Sequence, residues 1–266
     1  FGSSAFCSDR VLAFASLTNS IIMMLMPGLQ DPTQVQASER NFAKHVEPGC
    51  PYREDDVMAP EAAVSTGTTI MAVKFDGGVV LCADTRTSTG DYVANRASRK
   101  ISKVNDRICV CRSGSAADTQ ALTNYVNHYL GIHEMDIGTL PTVKTCANLF
   151  KELAYGNKDR LMAGLIVAGW DPKRQGQIFE IPLGGTLMPI QTFSIGGSGS
   201  GYIYGLCDAT YKEGMTKGEC VEWAKKMVAH AMSRDGSSGG MIRVVTIDES
   251  GIEEFAFKGN ELPYGP

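Results

Sequence analysis

Gly67 and Thr68 form a junction that could supply a nucleophile, because cleavage between them leaves a threonine with a free α-amine. An α-amino group has an ordinary pKa of about 7.7 to 8.0 and is therefore partly neutral near pH 7. A neutral amine can accept the proton of the hydroxyl on its own residue, and this pairing performs covalent catalysis without a histidine. The alternative is structural, since Thr68 and Thr69 also suit the start of the apolar strand that follows them.

Asp84 and Lys100 are candidates for setting the protonation state of that threonine. A partly buried lysine beside another cation has a lowered pKa and can relay protons, whereas the guanidinium of the neighbouring Arg99 stays protonated. Asp84 would hold the lysine through a charge-assisted hydrogen bond. The alternative is a surface ion pair at two strand ends, and such structural pairs are commoner than catalytic ones.

The segment Ser113-Gly114-Ser115 follows a predicted strand and precedes a predicted helix. Backbone N–H groups at a helix start are exposed donors, so Gly114 is a candidate for binding a developing oxyanion. Ser113 or Ser115 is equally suited to cap the helix. The two roles are compatible.

Other motifs exclude several kinds of chemistry. The glycine-rich residues 196–201 give neither G-x-G-x-x-G nor a following Lys-Ser or Lys-Thr, and they contain no G-x-S-x-G, so nucleotide binding and a hydrolase elbow are excluded. Residues 235–240 are typical of a helix stop. The four histidines lack partners at triad or metal-site spacing: His45, His128, His133 and His230.

The composition, 43% apolar and 20% charged over 266 residues, is that of an ordinary globular protein. A net charge of -4 without a basic face argues against nucleic-acid binding. The eight cysteines contain no C-x-x-C pair, which favours free thiols in a reducing compartment and argues against a zinc ribbon. Residues 11–26 are too short and too interrupted to span a membrane, so no membrane association is expected. A secretory signal there remains an alternative, which would predict disulfides.

Residues 1–67 show poor periodicity and are predicted to be a loosely ordered leader, followed by a domain over 68–266. Within that domain the order of elements is strands, two helices, strands, helices and strands. Strands are predicted from Thr69, over 79–83, near 98–103 and 107–112, and over 163–170, 177–182, 187–195, 241–247 and 253–257; helices are predicted over 115–130, 142–155, 202–213 and 216–234. This order predicts an α+β fold, a four-layer αββα sandwich of two mainly antiparallel sheets with helices on both outer faces.

Several short motifs follow one another along the chain: Gly67, TTIMAV at 68–73, Asp84 with Arg86, Lys100, RSGSAAD at 112–118, GSGS at 197–200 and RDGSSGG at 234–240. In these motifs and their order, the sequence from Thr68 onward resembles the proteasome beta subunits, which are N-terminal-nucleophile hydrolases of the threonine-protease type. Each motif alone is weak evidence for the family, but their occurrence in this order over about two hundred residues is highly specific to it.

The resemblance implies a role for each matching residue. Thr68 is similar to the nucleophile, exposed by cleavage after Gly67, and Asp84 and Lys100 to the pair that sets its protonation. An outer hydrogen-bonding shell around the terminal amine and an oxyanion donor are implied as well. By this resemblance, Ser198, Asp235 and Ser238 are similar to the shell residues and Gly114 is similar to the oxyanion donor.

Within the family, Arg112 and its surroundings resemble the caspase-like, beta-one subunits, which cleave after acidic residues. A fixed guanidinium can pair with a substrate carboxylate in a bidentate manner, which agrees with that preference. The same resemblance places further residues around this pocket: Thr87, Ser88, Ser98, Ala116 and Gln120. Ser88 stands where the family usually has threonine.

The resemblance therefore implies an endopeptidase made with an inhibitory leader, acting on unfolded polypeptides and needing no metal or cofactor. It also implies heptameric beta rings stacked with alpha rings into a 28-subunit core, in the cytoplasm and nucleus. The alternative from another class is a non-catalytic ring subunit that keeps its leader. The presence of Thr68, Asp84 and Lys100 weighs against that alternative.

Overall fold

The computed structural model describes residues 67–89 and 92–262. The predicted leader lies outside the described residues, apart from Gly67. Twelve strands are described, with these bounds: β1 Ile70–Phe75, β2 Gly78–Asp84, β3 Thr87–Thr89, β4 Tyr92–Asn95, β5 Ile101–Asn105, β6 Ile108–Gly114, β7 Ala163–Asp171, β8 Gln175–Ile181, β9 Met188–Ile190, β10 Phe193–Gly196, β11 Ile242–Asp248 and β12 Gly251–Phe257. The α-helices are α1 Ala116–Ile137, α2 Val143–Gly156, α3 Tyr204–Thr210 and α4 Lys217–Arg234.

Two five-stranded sheets and one small hairpin are formed by these strands. The first sheet has the order β10-β1-β2-β11-β12, the second has the order β5-β6-β7-β8-β9, and β3 pairs with β4. Every described strand pair is antiparallel. Antiparallel strands can be joined by short turns, and Asp76 and Gly77 form such a turn between β1 and β2.

The alternation of β1 explains how the sheets stack. Ile70 and Ala72 join a core between the two sheets, which also contains Ile166 of β7. Met71 and Val73 point to the opposite side, where they join a core with helix α4. Successive side chains of a strand face opposite sides of the sheet, so β1 contributes to both cores.

Helices cover the outer faces. Helix α4 packs on β1 and β2 of the first sheet, and α1 and α2 pack on the second sheet. Each of these three helices begins at a side-chain cap, provided by Ser115, Thr142 and Thr216. The predicted four-layer αββα sandwich is confirmed.

Two predicted elements differ from the structure. The strand predicted over 187–195 is two strands in different sheets, since β9 pairs with β8 and β10 pairs with β1. The helix predicted over 202–213 is a 3₁₀ turn, Ser198–Tyr202, followed by the short α3. The hairpin of β3 and β4 was not predicted, because its residues are mostly polar.

Candidate functional site

Antiparallel pairing brings the ends of several strands together at one edge of the sandwich. Thr68 lies just before β1, Asp84 ends β2, and the register pairs Ile70 with both Ala83 and Gly196. The residues that follow β10 and precede β11 therefore lie beside Thr68. In the second sheet, Lys100 precedes β5 and Gly114 ends β6 at the same edge of the molecule.

Asp84 and Lys100 form a buried ion pair. Lys100 Nζ donates to Asp84 Oδ1 at 2.8 Å, with the lysine side chain 6% exposed and the aspartate fully buried. The carboxylate also accepts from the backbone N–H of Thr69 at 2.9 Å, and from those of Gly239 at 3.0 Å and Arg86 at 3.2 Å. Burial lowers the pKa of Lys100 and raises the pKa of Asp84, and the attraction between the two charges opposes both shifts.

The hydroxyl of Thr68 and the side chain of Lys100 meet at one oxygen. Thr68 Oγ1 donates to the carbonyl oxygen of Gly67 at 2.7 Å, and Lys100 Nζ donates to the same oxygen at 2.7 Å. On the other side, the backbone N–H of Thr68 donates to Ser198 Oγ at 3.1 Å. The carbonyl oxygen of Gly67 thus accepts two hydrogen bonds, which polarise the carbonyl carbon toward attack.

Ser198, Asp235 and Ser238 form a hydrogen-bonded chain beside Thr68. The hydroxyls of Ser198 and Ser238 both donate to Asp235 Oδ2, at 2.7 and 2.6 Å. Ser238 Oγ also shares a hydrogen bond of 2.8 Å with Thr69 Oγ1. Ser198 therefore contacts Thr68 directly, whereas Ser238 reaches the neighbouring Thr69.

Two glycines allow the backbone to approach this site closely. A Cβ on Gly67 would lie 2.0 Å from the Cβ of Ser237, and a Cβ on Gly197 would lie 2.1 Å from the carbonyl oxygen of Thr68. Gly197 also has a φ of 89°, which favours glycine. Side chains at either position would displace the segment that holds Thr68.

Gly114 lies beside Thr68 at the end of β6, and both residues line the same cleft. Its φ is 97°, and a Cβ there would lie 2.3 Å from the carbonyl oxygen of Met162. The adjacent Ser115 caps α1 by accepting from the N–H of Asp118 at 3.3 Å. The residue that caps the helix, Ser115, is thus next to the candidate oxyanion donor, Gly114, so this segment can serve both roles.

A cleft of about 640 Å³, here called the Arg112 cleft, opens beside Thr68. It contains most of the pocket residues inferred from sequence: Thr87, Ser98, Arg112, Ala116 and Gln120. Ser88 is the exception, because it is 5% exposed and is not among the residues that line the cleft.

The guanidinium of Arg112 has little to neutralise it. Its Nη2 donates to the backbone carbonyl of Arg99 at 2.7 Å, and its buried Nε has no hydrogen-bond partner among the described residues. Within that part of the chain, no carboxylate pairs with it. Burial lowers the pKa of Arg112, but a guanidinium remains charged. The cleft therefore presents a cation with unsatisfied donors.

Sequence reasoning missed a polar face of α1 that forms one wall of this cleft. The spacing i, i+3, i+4, i+7, i+8 and i+11 places its residues on one side of the helix. They are Ala116, Thr119, Gln120, Thr123, Asn124 and Asn127. The same periodicity could have identified them from the sequence, once Ala116 and Gln120 had been assigned to the pocket.

A second cleft of about 350 Å³, here called the Glu180 cleft, borders Thr68 from the other side. It shares Thr68, Ser113 and Gly114 with the Arg112 cleft. Its other lining residues include Ser198 and Glu180. No sequence motif indicated this cleft.

The described residues contain no group of three or more histidine, cysteine, aspartate or glutamate side chains that could hold a metal ion. Within the same part of the chain, no helix has the length and apolar character needed to cross a bilayer.

Comparison with known proteins agrees with this geometry. A family model described as "Proteasome subunit" matches residues 64–247. The chain is 54% identical over 201 residues to proteasome subunit beta type-6 of Dictyostelium discoideum, covering 76% of this chain and 94% of the relative. It is 49% identical over 198 residues to proteasome subunit beta type-1 of Saccharomyces cerevisiae, covering 74% and 91%. It is 50% identical over 200 residues to proteasome subunit beta type-9 of Oryzias latipes, covering 75% and 91%. The chain therefore belongs to the proteasome beta subunits, a family of threonine peptidases.

Proposed function

We propose that this chain is a catalytic subunit of the 20S proteasome core that cleaves peptide bonds after acidic residues, with Thr68 as its nucleophile. The observation that carries the proposal is the unneutralised guanidinium of Arg112 in the cleft that borders Thr68. A substrate carboxylate would complete the hydrogen bonding of that guanidinium. An apolar side chain would leave the guanidinium desolvated and unpaired, at a cost in binding free energy.

Maturation begins with the bond between Gly67 and Thr68. The Thr68 hydroxyl attacks the carbonyl carbon of Gly67, whose oxygen already accepts from Lys100 Nζ at 2.7 Å. The acyl group moves from nitrogen to the threonine oxygen, and water then hydrolyses the resulting ester. The leader over residues 1–67 is released, and the α-amine of Thr68 becomes free. Until that step the amine is held in a peptide bond, so the precursor is a zymogen.

Peptide hydrolysis then uses both groups of Thr68. Its α-amine takes the proton of its hydroxyl, which attacks the substrate carbonyl and forms an acyl-enzyme ester. The Gly114 N–H stabilises the tetrahedral oxyanion, and the positive charge of Lys100 favours the neutral amine. Ser198 accepts from the Thr68 nitrogen at 3.1 Å, so Asp235 orients the amine through that serine. Water releases the acyl group without a metal or a cofactor.

The proposal includes the setting of the subunit. The chain would occupy a heptameric beta ring stacked with alpha rings in a 28-subunit core, in the cytoplasm and nucleus, and act on unfolded polypeptides. Its beta-type relatives support the assembly, since the relative from Saccharomyces cerevisiae is named proteasome subunit beta type-1. The alternative of a non-catalytic ring subunit predicts that Gly67 remains attached within the assembled particle.

The N-terminal sequence and the cleavage preference of the purified particle test the proposal. We expect the subunit to start at Thr68 and Arg112→Ala to lower cleavage after Glu and Asp by about tenfold or more, since a charge-assisted pair contributes about 1.5 to 3 kcal/mol. Assembly should be unaffected, because among the described residues the Arg112 side chain hydrogen-bonds only to a backbone carbonyl and forms no ion pair. The matched control is Arg174→Ala, an exposed arginine that lines neither of the two clefts. Equal cleavage after acidic and apolar residues in the unmodified particle would refute the preference.

A further inference from the structure

The two clefts meet at Thr68 and carry opposite charges. The Arg112 cleft holds an unneutralised cation, whereas Glu180 is a carboxylate on the wall of the Glu180 cleft. Since Thr68, Ser113 and Gly114 line both clefts, a peptide bound across the nucleophile would extend into each. The scissile bond would then lie at the boundary between a positive and a negative region.

The position of the Thr68 nitrogen determines which part of the substrate enters the Glu180 cleft. In hydrolysis by an N-terminal nucleophile, the amine that accepted the hydroxyl proton returns it to the leaving amine. That nitrogen lies 3.1 Å from Ser198 Oγ, and Ser198 lines the Glu180 cleft but not the Arg112 cleft. The leaving segment of the substrate is therefore directed into the Glu180 cleft.

Glu180 is fixed in position and lacks a cation. It lies on β8, where its Oε2 accepts from the hydroxyl of Ser194 on β10 at 2.8 Å, which links the two sheets at the cleft. Among the described residues no lysine, arginine or histidine pairs with this carboxylate. It is also close enough to Tyr204, another wall residue, to raise the pKa of the phenol, although burial is the larger cause.

The remaining walls suit the stem of a long basic side chain. Met162 and Leu183 are apolar and are 37% and 58% exposed, and Pro182 lies beside them. Lysine and arginine side chains cover apolar surface with their methylene groups while their charged ends stay in polar surroundings. A cleft that combines apolar wall residues with one carboxylate matches that distribution.

We propose that the Glu180 cleft binds the leaving segment of the substrate and selects lysine or arginine at the first or second residue after the cleaved bond. The inference rests on Thr68 being the nucleophile, as in the proposed function. Together with Arg112 on the other side, Glu180 makes the subunit prefer bonds that separate an acidic residue from a basic one.

The test uses the assembled, matured particle and quenched peptides that share an aspartate before the bond. Lysine, glutamine or glutamate is placed at the first or at the second position after it, and the products are identified by mass spectrometry. Cleavage by a Thr68→Ala particle is subtracted, so that other subunits do not contribute. We expect lysine to be favoured over glutamate by about fivefold at one of the two positions, as for an ion pair that water still reaches.

The variant Glu180→Gln should bring that ratio close to one, because the amide oxygen still accepts from Ser194 while the charge is lost. Glu222→Gln is the control, since this exposed carboxylate pairs with Lys225 on α4 and lines neither cleft. Equal rates for lysine and glutamate at both positions in the unmodified particle would overturn the inference, even if Glu180→Gln failed to assemble.

The two proposals fail in distinguishable ways. Loss of the preference for acidic residues before the cleaved bond would contradict the role of Arg112. The ratio of cleavage with lysine to cleavage with glutamate after the bond would still be measurable and would test Glu180 separately. Retention of the acidic preference without any preference for lysine would contradict the role of Glu180 alone.

Discussion

Asp84→Asn is expected to be severely destabilising, because the carboxylate accepts four hydrogen bonds. One oxygen accepts from Lys100 Nζ and the Thr69 N–H, and the other accepts from the N–H groups of Gly239 and Arg86. An asparagine has an NH₂ group in place of one of these oxygens. In either orientation that group faces two donors, and Lys100 loses its counter-charge while remaining buried.

Removal of one partner of a buried ion pair costs about 3 to 5 kcal/mol, so we expect about 4 kcal/mol for Asp84→Asn near pH 7. The loss should depend on pH, since burial lowers the pKa of Lys100 and Asp84 raises it again. Without Asp84 the folded lysine has a still lower pKa, whereas the unfolded lysine keeps about 10.4. Between those two values the unfolded chain binds more protons, so the stability of the variant rises with pH. Its deficit shrinks up to the pKa of Lys100 in the unmodified folded chain, which is itself lowered, and is constant above it.

Urea denaturation of the full-length chain, followed through the fluorescence of its two tryptophans, Trp170 and Trp223, measures both effects. The control is Asp248→Asn, whose carboxylate pairs with Lys217 at 2.9 Å but is 21% exposed, and which should cost about 1 kcal/mol or less. A deficit below about 1 kcal/mol for Asp84→Asn, or one that grows from about pH 6 to about pH 9, would refute the reasoning.

Three further predictions concern the junction, the serine beside it and the thiols. Gly67→Ala should slow release of the leader at least about tenfold, because the added Cβ would collide with Ser237. The intact mass of the subunit measures this release. The control Gly201→Ala, which has open space around it, should mature normally. Ser198→Ala should lower kcat about 10- to 100-fold with little change in KM, because it removes the link from Asp235 to the Thr68 amine. The six described cysteines are buried with raised thiol pKa values, so they should react with a thiol reagent in urea but barely in native buffer; disulfides would instead support a secreted protein.

Much of the fold could be predicted because its strands alternate strongly. Met71 and Val73 face α4 while Ile70 and Ala72 face the second sheet, and this period of two is visible in the sequence. The pairing of Asp84 with Lys100 was also predicted from the sequence, with Asp84 at a strand end; Lys100 was predicted within a strand near 98–103, whereas it precedes β5 in the structure. The roles of these residues in catalysis are still predictions.

Other features depend on contacts that a local pattern does not contain. Residues 187–195 alternate as one strand, but the chain changes sheets at 191–192, because β8 and β1 each supply a separate edge for pairing. Helix α1 continues to Ile137 past Gly131, since a helix tolerates one glycine at a cost of about 1 kcal/mol, and Gly138 then ends it in a left-handed conformation. Glu180 lies within a strand pattern, and only the stacking of two sheets places it on the wall of a cleft that Thr68 also lines.

Covalent trapping of the mature particle tests the role of Thr68 most directly. The particle is treated with an electrophile that reacts with both the hydroxyl and the amine of an N-terminal threonine, and the modified subunit is sequenced by mass spectrometry. We expect a chain that begins at Thr68 and carries the adduct on that residue. The fraction of cleavage after acidic residues that is lost should equal the fraction of this subunit that is modified. An adduct on another residue, or a chain that retains Gly67 in a particle still cleaving acidic peptides through this subunit, would contradict the account.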